Sequence, residues 1–107
     1  MADRTRSGSI ERIRRASAGV CDAFQAMRGE IDRSGPLNAK TRELILLAGF
    51  TTARQESNFK AHCARAVDEG ASRQEIYQSI LLTLGACATL NAVSLALDWA
   101  DEMISPS

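Results

Sequence analysis

Apolar residues recur at helical spacing along most of the chain, and this periodicity restricts the fold to helices packed against one another. In the first third they follow one another at intervals of three, four or seven: Ile10, Ile13, Val20, Phe24, Met27 and Ile31. Such a stripe is typical of an amphipathic helix, whereas the alternation that indicates strands is scarce. With 107 residues and 45% hydrophobic content, the chain is predicted to be a single all-α domain over residues 1–107.

The first helix is predicted to be long. Ser9 could cap its start, Ser17 is the one polar interruption of its apolar stripe, and Ser34-Gly35-Pro36 ends it. Proline ends helices because it has no N–H to donate and restricts the residue before it. Residues 1–8 are expected to form a disordered arm.

A second helix is predicted to begin near Asn38, a good N-cap residue. Its middle, residues 44–50, is apolar on every face. A helix without a polar side must be surrounded. Either its own neighbours in the chain or another subunit could provide that cover.

Three further helices follow, giving about five to six in all. One covers about residues 56–69 and stops at Gly70, a typical residue after a helix end. Ser72 and Glu75 then form an S-x-x-E capping box that opens the next helix. The last carries Leu90 to Ile104 in heptad-like spacing.

The charges balance in number but not in position. There are 13 basic and 13 acidic side chains, and five arginines lie within the first fifteen residues: Arg4, Arg6, Arg12, Arg14 and Arg15. A basic arm can bind nucleic acid or an anionic surface, but a frayed end plus the solvated face of a helix is the favoured explanation. Because no aromatic residue lies among these arginines, we expect no nucleic-acid partner.

Targeting signals are not evident in the sequence. The first fifteen residues lack an apolar core, and no run approaches the roughly 18 apolar residues that span a bilayer. We therefore expect a cytoplasmic protein without a membrane partner.

Metal and cofactor motifs are also not evident. The three cysteines, Cys21, Cys63 and Cys87, are widely spaced, and each is predicted to be a buried, inert thiol. No phosphate loop, nucleophile elbow, H-E-x-x-H motif or EF-hand loop occurs. We expect neither a metal site nor an organic cofactor.

His62 is the only histidine, so any imidazole acid–base chemistry must use it. Glu43 is the second candidate, because a carboxylate on an apolar helix face lies at its edge or faces a polar pocket. If it lay beside His62, it would orient the ring and favour its charged form. Two simpler interpretations stay open: His62 packed beside the core and bonded to a carbonyl, and Glu43 paired with Lys40 at the surface.

Two segments resemble the carboxymuconolactone decarboxylase and alkylhydroperoxidase D-like family. Residues 37–44, Leu-Asn-Ala-Lys-Thr-Arg-Glu-Leu, resemble its opening motif. His62, Ala66, Gly70-Ala71-Ser72 and Glu75-Ile76 resemble its H-x-x-x-A-x-x-x-G-A-[ST]-x-x-E-I signature. Asn91 resembles an asparagine near the family's end. The resemblance is strongest over residues 37–100.

The resemblance implies a helical bundle and one of two chemistries. Alkylhydroperoxidase D-like members carry a C-x-x-C pair before the histidine, and the corresponding positions here are Gln55 and Asn58. Amides cannot form a thiolate, so this chemistry lacks its nucleophile. The carboxymuconolactone decarboxylases lack the cysteine pair and keep the histidine, which this sequence fits better.

The decarboxylase resemblance implies a cofactor-free site acting on a small carboxylated lactone. His62 would donate the proton and Glu43 would orient it. Arg42 or Arg54 could hold a substrate carboxylate, and Asn58 and Asn91 are further candidates for substrate contact.

Two alternatives stay open. One is a thiol-dependent alkylhydroperoxidase, which would have to use Cys63. The other is a non-catalytic binding module that retains only the scaffold. In each case the family implies self-association, commonly as a homotrimer or homohexamer.

Overall fold

The chain folds into helices throughout the part that the structure describes. The computed structural model describes residues 4–104, with side chains from residue 9 onward. The helices are α1 (Arg4–Ala16), α2 (Ala18–Arg33), α3 (Ala39–Ala53), α4 (Glu56–Asp68), α5 (Arg73–Leu81) and α6 (Leu90–Met103). Between residues 4 and 104 there is no strand, only an isolated bridge between Leu84 and Ala88. The predicted all-α fold and its helix number are confirmed.

The helices fall into two compact units. The first contains α1 and α2 within residues 1–37, and the second contains α3 to α6 within residues 38–107. In the first unit α1 packs on α2, and the thiol of Cys21 is buried and donates to the carbonyl of Ile10 at 3.9 Å.

The prediction of one long first helix is wrong, because Ser17 separates α1 from α2. Its backbone is extended, with φ of −163°, and its hydroxyl accepts a 3.2 Å hydrogen bond from the N–H of Val20. A serine side chain can replace a helical carbonyl as acceptor, so it favours a cap over a helix interior. Ser9 lies inside α1 and does not cap it. The arm predicted for residues 1–8 lies partly outside the described residues, and α1 begins at Arg4.

The limits of α3 and α4 lie close to their predicted positions. Asn38 caps α3 and accepts a 2.9 Å hydrogen bond from the N–H of Thr41. Arg54 ends α3 in the left-handed conformation, with φ of 56°. After α4, Gly70 adopts a φ of 93°, which only glycine reaches at little steric cost.

The start of α5 is fixed by the predicted capping box. The Ser72 hydroxyl accepts from the N–H of Glu75 at 3.1 Å, and the Glu75 carboxylate accepts from the N–H of Ser72 at 2.9 Å. The other oxygen of Glu75 lies 3.0 Å from Nζ of Lys40 on α3. This ion pair connects the start of α5 to the start of α3.

The core of the second unit lies where α3 to α6 meet. Its buried members are Leu47, Phe59, Cys63, Ala66, Ile76, Ile80, Val93, Ala96, Trp99 and Ala100. The rings of Phe59 on α4 and Trp99 on α6 lie 5.7 Å apart between centroids, a separation typical of favourable aromatic pairs.

The apolar helix α3 is covered only in part by its own chain. It packs on α4, α5 and α6, and Leu47 and Thr51 are fully buried. Ile45, in contrast, is 53% exposed. The neighbouring helices of the same chain therefore cover part, but not all, of the apolar surface of α3. Among the described helices, none combines the length and apolar character needed to cross a membrane.

Candidate active site

Two consecutive helices bring the predicted catalytic residues together. Glu43 lies in the second turn of α3 and His62 lies in the middle of α4. Only Arg54 and Gln55 separate the two helices, so the chain turns back and lays α4 along α3. The short connection places a carboxylate and an imidazole, 19 residues apart in sequence, on facing sides of one helical hairpin.

The side chains of Glu43 and His62 are in direct contact. Oε1 of Glu43 lies 2.6 Å from Nδ1 of His62. Both side chains are largely covered, with 16% and 10% of their surfaces exposed. The contact is therefore a partly buried charge-assisted hydrogen bond, which is stronger than the same contact in water.

The chemistry of the two groups defines which atom donates. An ionised carboxylate can only accept hydrogen bonds, so Nδ1 of His62 carries the proton and donates it to Glu43. Proton exchange with another molecule would then use Nε2, the second ring nitrogen.

The structure gives Nδ1 of His62 the Glu43 carboxylate as its partner. The interpretation that Glu43 pairs with Lys40 at the surface is wrong, because the ammonium group of Lys40 lies beside Glu75 on α5. A lysine three residues before a glutamate can reach it along one helix face, but here the lysine pairs with a glutamate of another helix.

Phe50 also contacts the histidine, and the sequence reasoning did not assign it to the site. Its ring centroid lies 5.1 Å from that of His62, with the planes inclined at 42°. Phe50 follows Glu43 by seven residues, so both lie on the same face of α3. This seven-residue spacing is the sequence feature that could have assigned Phe50 to the site.

The two positions that carry cysteines in the alkylhydroperoxidase-like members carry amides that bind each other. Nδ2 of Asn58 donates a 2.7 Å hydrogen bond to Oε1 of Gln55, and both side chains are exposed. Asn58 precedes His62 by one helical turn. The amide pair thus occupies the beginning of α4, on the side of the helix that leads to His62.

The cysteines differ from one another in exposure. Cys63 is fully buried, and burial raises its pKa to about 11, so the thiol is neutral at physiological pH. Cys21 is buried as predicted, but the prediction is wrong for Cys87, which is exposed and lies in the turn before α6. Sγ of Cys87 lies 3.4 Å from the hydroxyl of Thr52. The small side chains around Cys87 form a turn and not a packed helix.

The remaining candidate residues lie at different places around the second unit. Nη2 of Arg54 donates a 3.2 Å hydrogen bond to the hydroxyl of Thr89, which caps α6. Arg42 is half-buried beside Glu43 in sequence, and Asn91 is exposed in the first turn of α6. The roles of Arg42, Arg54, Asn58 and Asn91 in substrate binding stay predictions.

The chain also matches a family model over most of its length. The model is that of the carboxymuconolactone decarboxylase family, and it matches residues 18–102, from the start of α2 almost to the end of α6. No curated protein and no solved structure gives a significant match. Because the family model spans well over half of the sequence, the chain belongs to the carboxymuconolactone decarboxylase family.

Proposed function

We propose that the chain is a cofactor-free acid–base enzyme that decarboxylates a small carboxylated lactone or a related compound. The observation that carries this proposal is the 2.6 Å contact between Glu43 and His62. It gives the one histidine a carboxylate partner at Nδ1, the arrangement that suits an imidazole to acid–base chemistry.

Decarboxylation requires a proton donor more than it requires a nucleophile. As the bond to the leaving carboxylate breaks, its electron pair remains on carbon and is delocalised into a conjugated carbonyl of the substrate. CO₂ departs, and the carbon then takes a proton. In our proposal Nε2 of the His62 imidazolium gives that proton and later regains one from water. Glu43 keeps its charge throughout and holds Nδ1.

The substrate carboxylate needs a cationic partner. Arg42 lies beside Glu43 in sequence, and a guanidinium can bind a carboxylate through two parallel hydrogen bonds. Arg54, whose guanidinium donates to Thr89, is the second candidate.

The alternative chemistry, thiol-dependent reduction of hydroperoxides, has less support. The thiol beside the histidine, Cys63, is fully buried and its pKa is raised to about 11. The thiolate is the nucleophile in such reactions. A neutral, covered thiol without a second thiol in its own helix is poorly suited to that role.

Turnover of carboxylated lactones by the purified chain, followed through CO₂ release, tests the proposal. His62→Ala is expected to lower kcat by about 10²- to 10⁴-fold, the usual contribution of a positioned acid or base. Glu43→Gln is expected to lower it less, because the ring remains but loses its charged partner. Asp98→Asn, a change at an exposed carboxylate on α6, is the matched control. Unchanged turnover in His62→Ala would reject the role of the imidazole.

We further propose that the chain self-associates, as a homotrimer or homohexamer. Ile45 on α3 and Leu82 and Leu90 around the turn before α6 are more than half exposed. Exposed large apolar side chains are the kind of surface that contacts between proteins cover. Light scattering at micromolar concentration tests this proposal, and a monomeric mass would contradict it. Ile45→Glu is expected to reduce the measured mass.

A further inference from the structure

Two residues of α3 contact the imidazole of His62 at different places on the ring. Glu43 binds Nδ1 at 2.6 Å, and the ring of Phe50 lies 5.1 Å away between centroids. The two residues are seven apart, which is about two turns of the helix. The imidazole is thus held from the same helix by one polar and one aromatic group.

A hydrogen bond by itself does not fix a ring. It holds Nδ1 near the carboxylate, but small changes in the two side-chain torsions of His62 can still tilt the ring and move Nε2. A second contact on the ring restricts that tilt. The inclined ring of Phe50 provides such a contact, in the range of separations that aromatic pairs prefer.

We propose that Phe50 is a positioning residue for His62. Its ring sets the plane of the imidazole and, through that plane, the direction in which Nε2 points. This inference rests on the proposed function for its catalytic consequence, because a proton donor must be aligned with the carbon that receives the proton. The orientation of the imidazole ring itself can be measured in the protein without substrate.

Phe50 also packs against the core of the second unit, so a purely structural role must be distinguished from positioning. Phe59 offers a matched comparison. It is a phenylalanine of the same core, fully buried, and its ring pairs with Trp99. The substitution of either residue by leucine removes an aromatic ring from the same core.

The experiment uses NMR of the full chain. Because His62 is the only histidine, its imidazole carbon and nitrogen signals need no further assignment. We expect one narrow set in the wild-type protein. Phe50→Leu is expected to broaden these signals or split them into several sets, and Phe50→Tyr, which keeps a ring, is expected to give one narrow set again. Phe59→Leu is expected to lower the unfolding midpoint and leave the imidazole signals narrow.

Kinetics supply the second readout. Phe50→Leu is expected to lower kcat about tenfold with little change in KM, as follows when alignment and not binding is lost. Phe50→Met, whose flexible side chain has about the volume of leucine but adapts better to an irregular space, serves if the leucine variant does not fold.

Two results would overturn the inference. One is a single narrow set of imidazole signals in both Phe50→Leu and Phe50→Met. The other is equal broadening in Phe59→Leu, which would indicate a general loosening of the core. A loss of ring order in Phe50→Leu together with normal turnover in His62→Ala would support the positioning and reject the proposed function. The two proposals can therefore fail separately.

Discussion

The side-chain amide of Asn58 donates a hydrogen bond to the side-chain oxygen of Gln55, across the first turn of α4. The two side chains are thus close enough to touch at the positions where other members of the family carry a C-x-x-C pair. Amide groups at these positions cannot form a thiolate, the nucleophile of thiol-dependent hydroperoxide reduction.

Replacement of both amides by cysteine is therefore expected to introduce a redox pair. In Gln55→Cys/Asn58→Cys, the two thiols should form a disulfide on mild oxidation, measured as a loss of two titratable thiols relative to the reduced protein. With a dithiol as reductant, this variant should consume an alkyl hydroperoxide faster than the wild-type chain. The single variant Gln55→Cys is the control, since it has no resolving partner. A folded double variant that forms no disulfide would contradict the expectation.

The native cysteines are expected to differ sharply in reactivity. Cys87 is exposed, Cys21 is buried, and burial raises the pKa of Cys63 to about 11. Iodoacetamide at pH 8 should therefore add one group to the folded protein and three to the unfolded protein, as measured by mass spectrometry. Cys87→Ser should abolish labelling of the folded state. Labelling of Cys63 in the folded protein would show that this thiol is more accessible than its burial indicates.

The left-handed backbone of Arg54 gives a test of local strain. A side chain in this conformation costs roughly 1–2 kcal/mol, a cost that glycine does not bear. Arg54→Gly and Arg54→Ala both lose the hydrogen bond to Thr89, so their comparison isolates the backbone. The glycine variant should be more stable by about 1 kcal/mol in urea unfolding, followed by the fluorescence of Trp99, the only tryptophan. Equal stability of the two variants would exclude the strain.

The capping box of α5 gives a second test of stability. Ser72→Ala removes the acceptor for the N–H of Glu75 and is expected to cost about 1 kcal/mol. Ser57→Ala, at an exposed position in the first turn of α4, is the matched control and should change the unfolding free energy much less. An equal loss of unfolding free energy in Ser57→Ala would show that the effect comes from replacing any serine and not from losing the cap.

Glu75 is also expected to make stability sensitive to acid. The N–H of Ser72, and then the ammonium group of Lys40, lower the pKa of this carboxyl below its usual value of about 4.3. A lowered pKa in the folded state adds stability above the unfolded value, and this stability is lost as the pH falls through the folded value. The urea midpoint should therefore fall between about pH 5 and pH 3, and less steeply in Glu75→Gln. An equally steep fall of the urea midpoint in the wild-type protein and in Glu75→Gln would show that Glu75 does not cause the acid sensitivity.

Local signals in the sequence predicted the boundaries of the second unit well. Asn38, Gly70 and the Ser72–Glu75 box act on backbone groups within a few residues, so their effect can be recognised without knowledge of the fold. Ser17 failed for the opposite reason. A serine in an apolar stripe can lie in a helix or cap a new one, and the choice depends on how the flanking helices pack.

The candidate site was predictable in its members but not in its geometry. Both Glu43 and His62 could be named from the residue types and the family motif. Their contact depends on the rotation of α3 relative to α4, which the packing of Leu47 and Phe59 in the core sets. For the same reason Phe50 could be placed on the face of Glu43, but not against the imidazole.

The two-residue connection between α3 and α4 has a consequence for how the site forms. Closing a loop costs entropy that grows with its length, and the acid and base here are separated by only 19 residues. Only the α3–α4 hairpin must be ordered to bring the two side chains together, and such local contacts form rapidly in helical proteins. Sequence changes outside α3 and α4 can therefore leave the Glu43–His62 contact within one continuous segment of the chain.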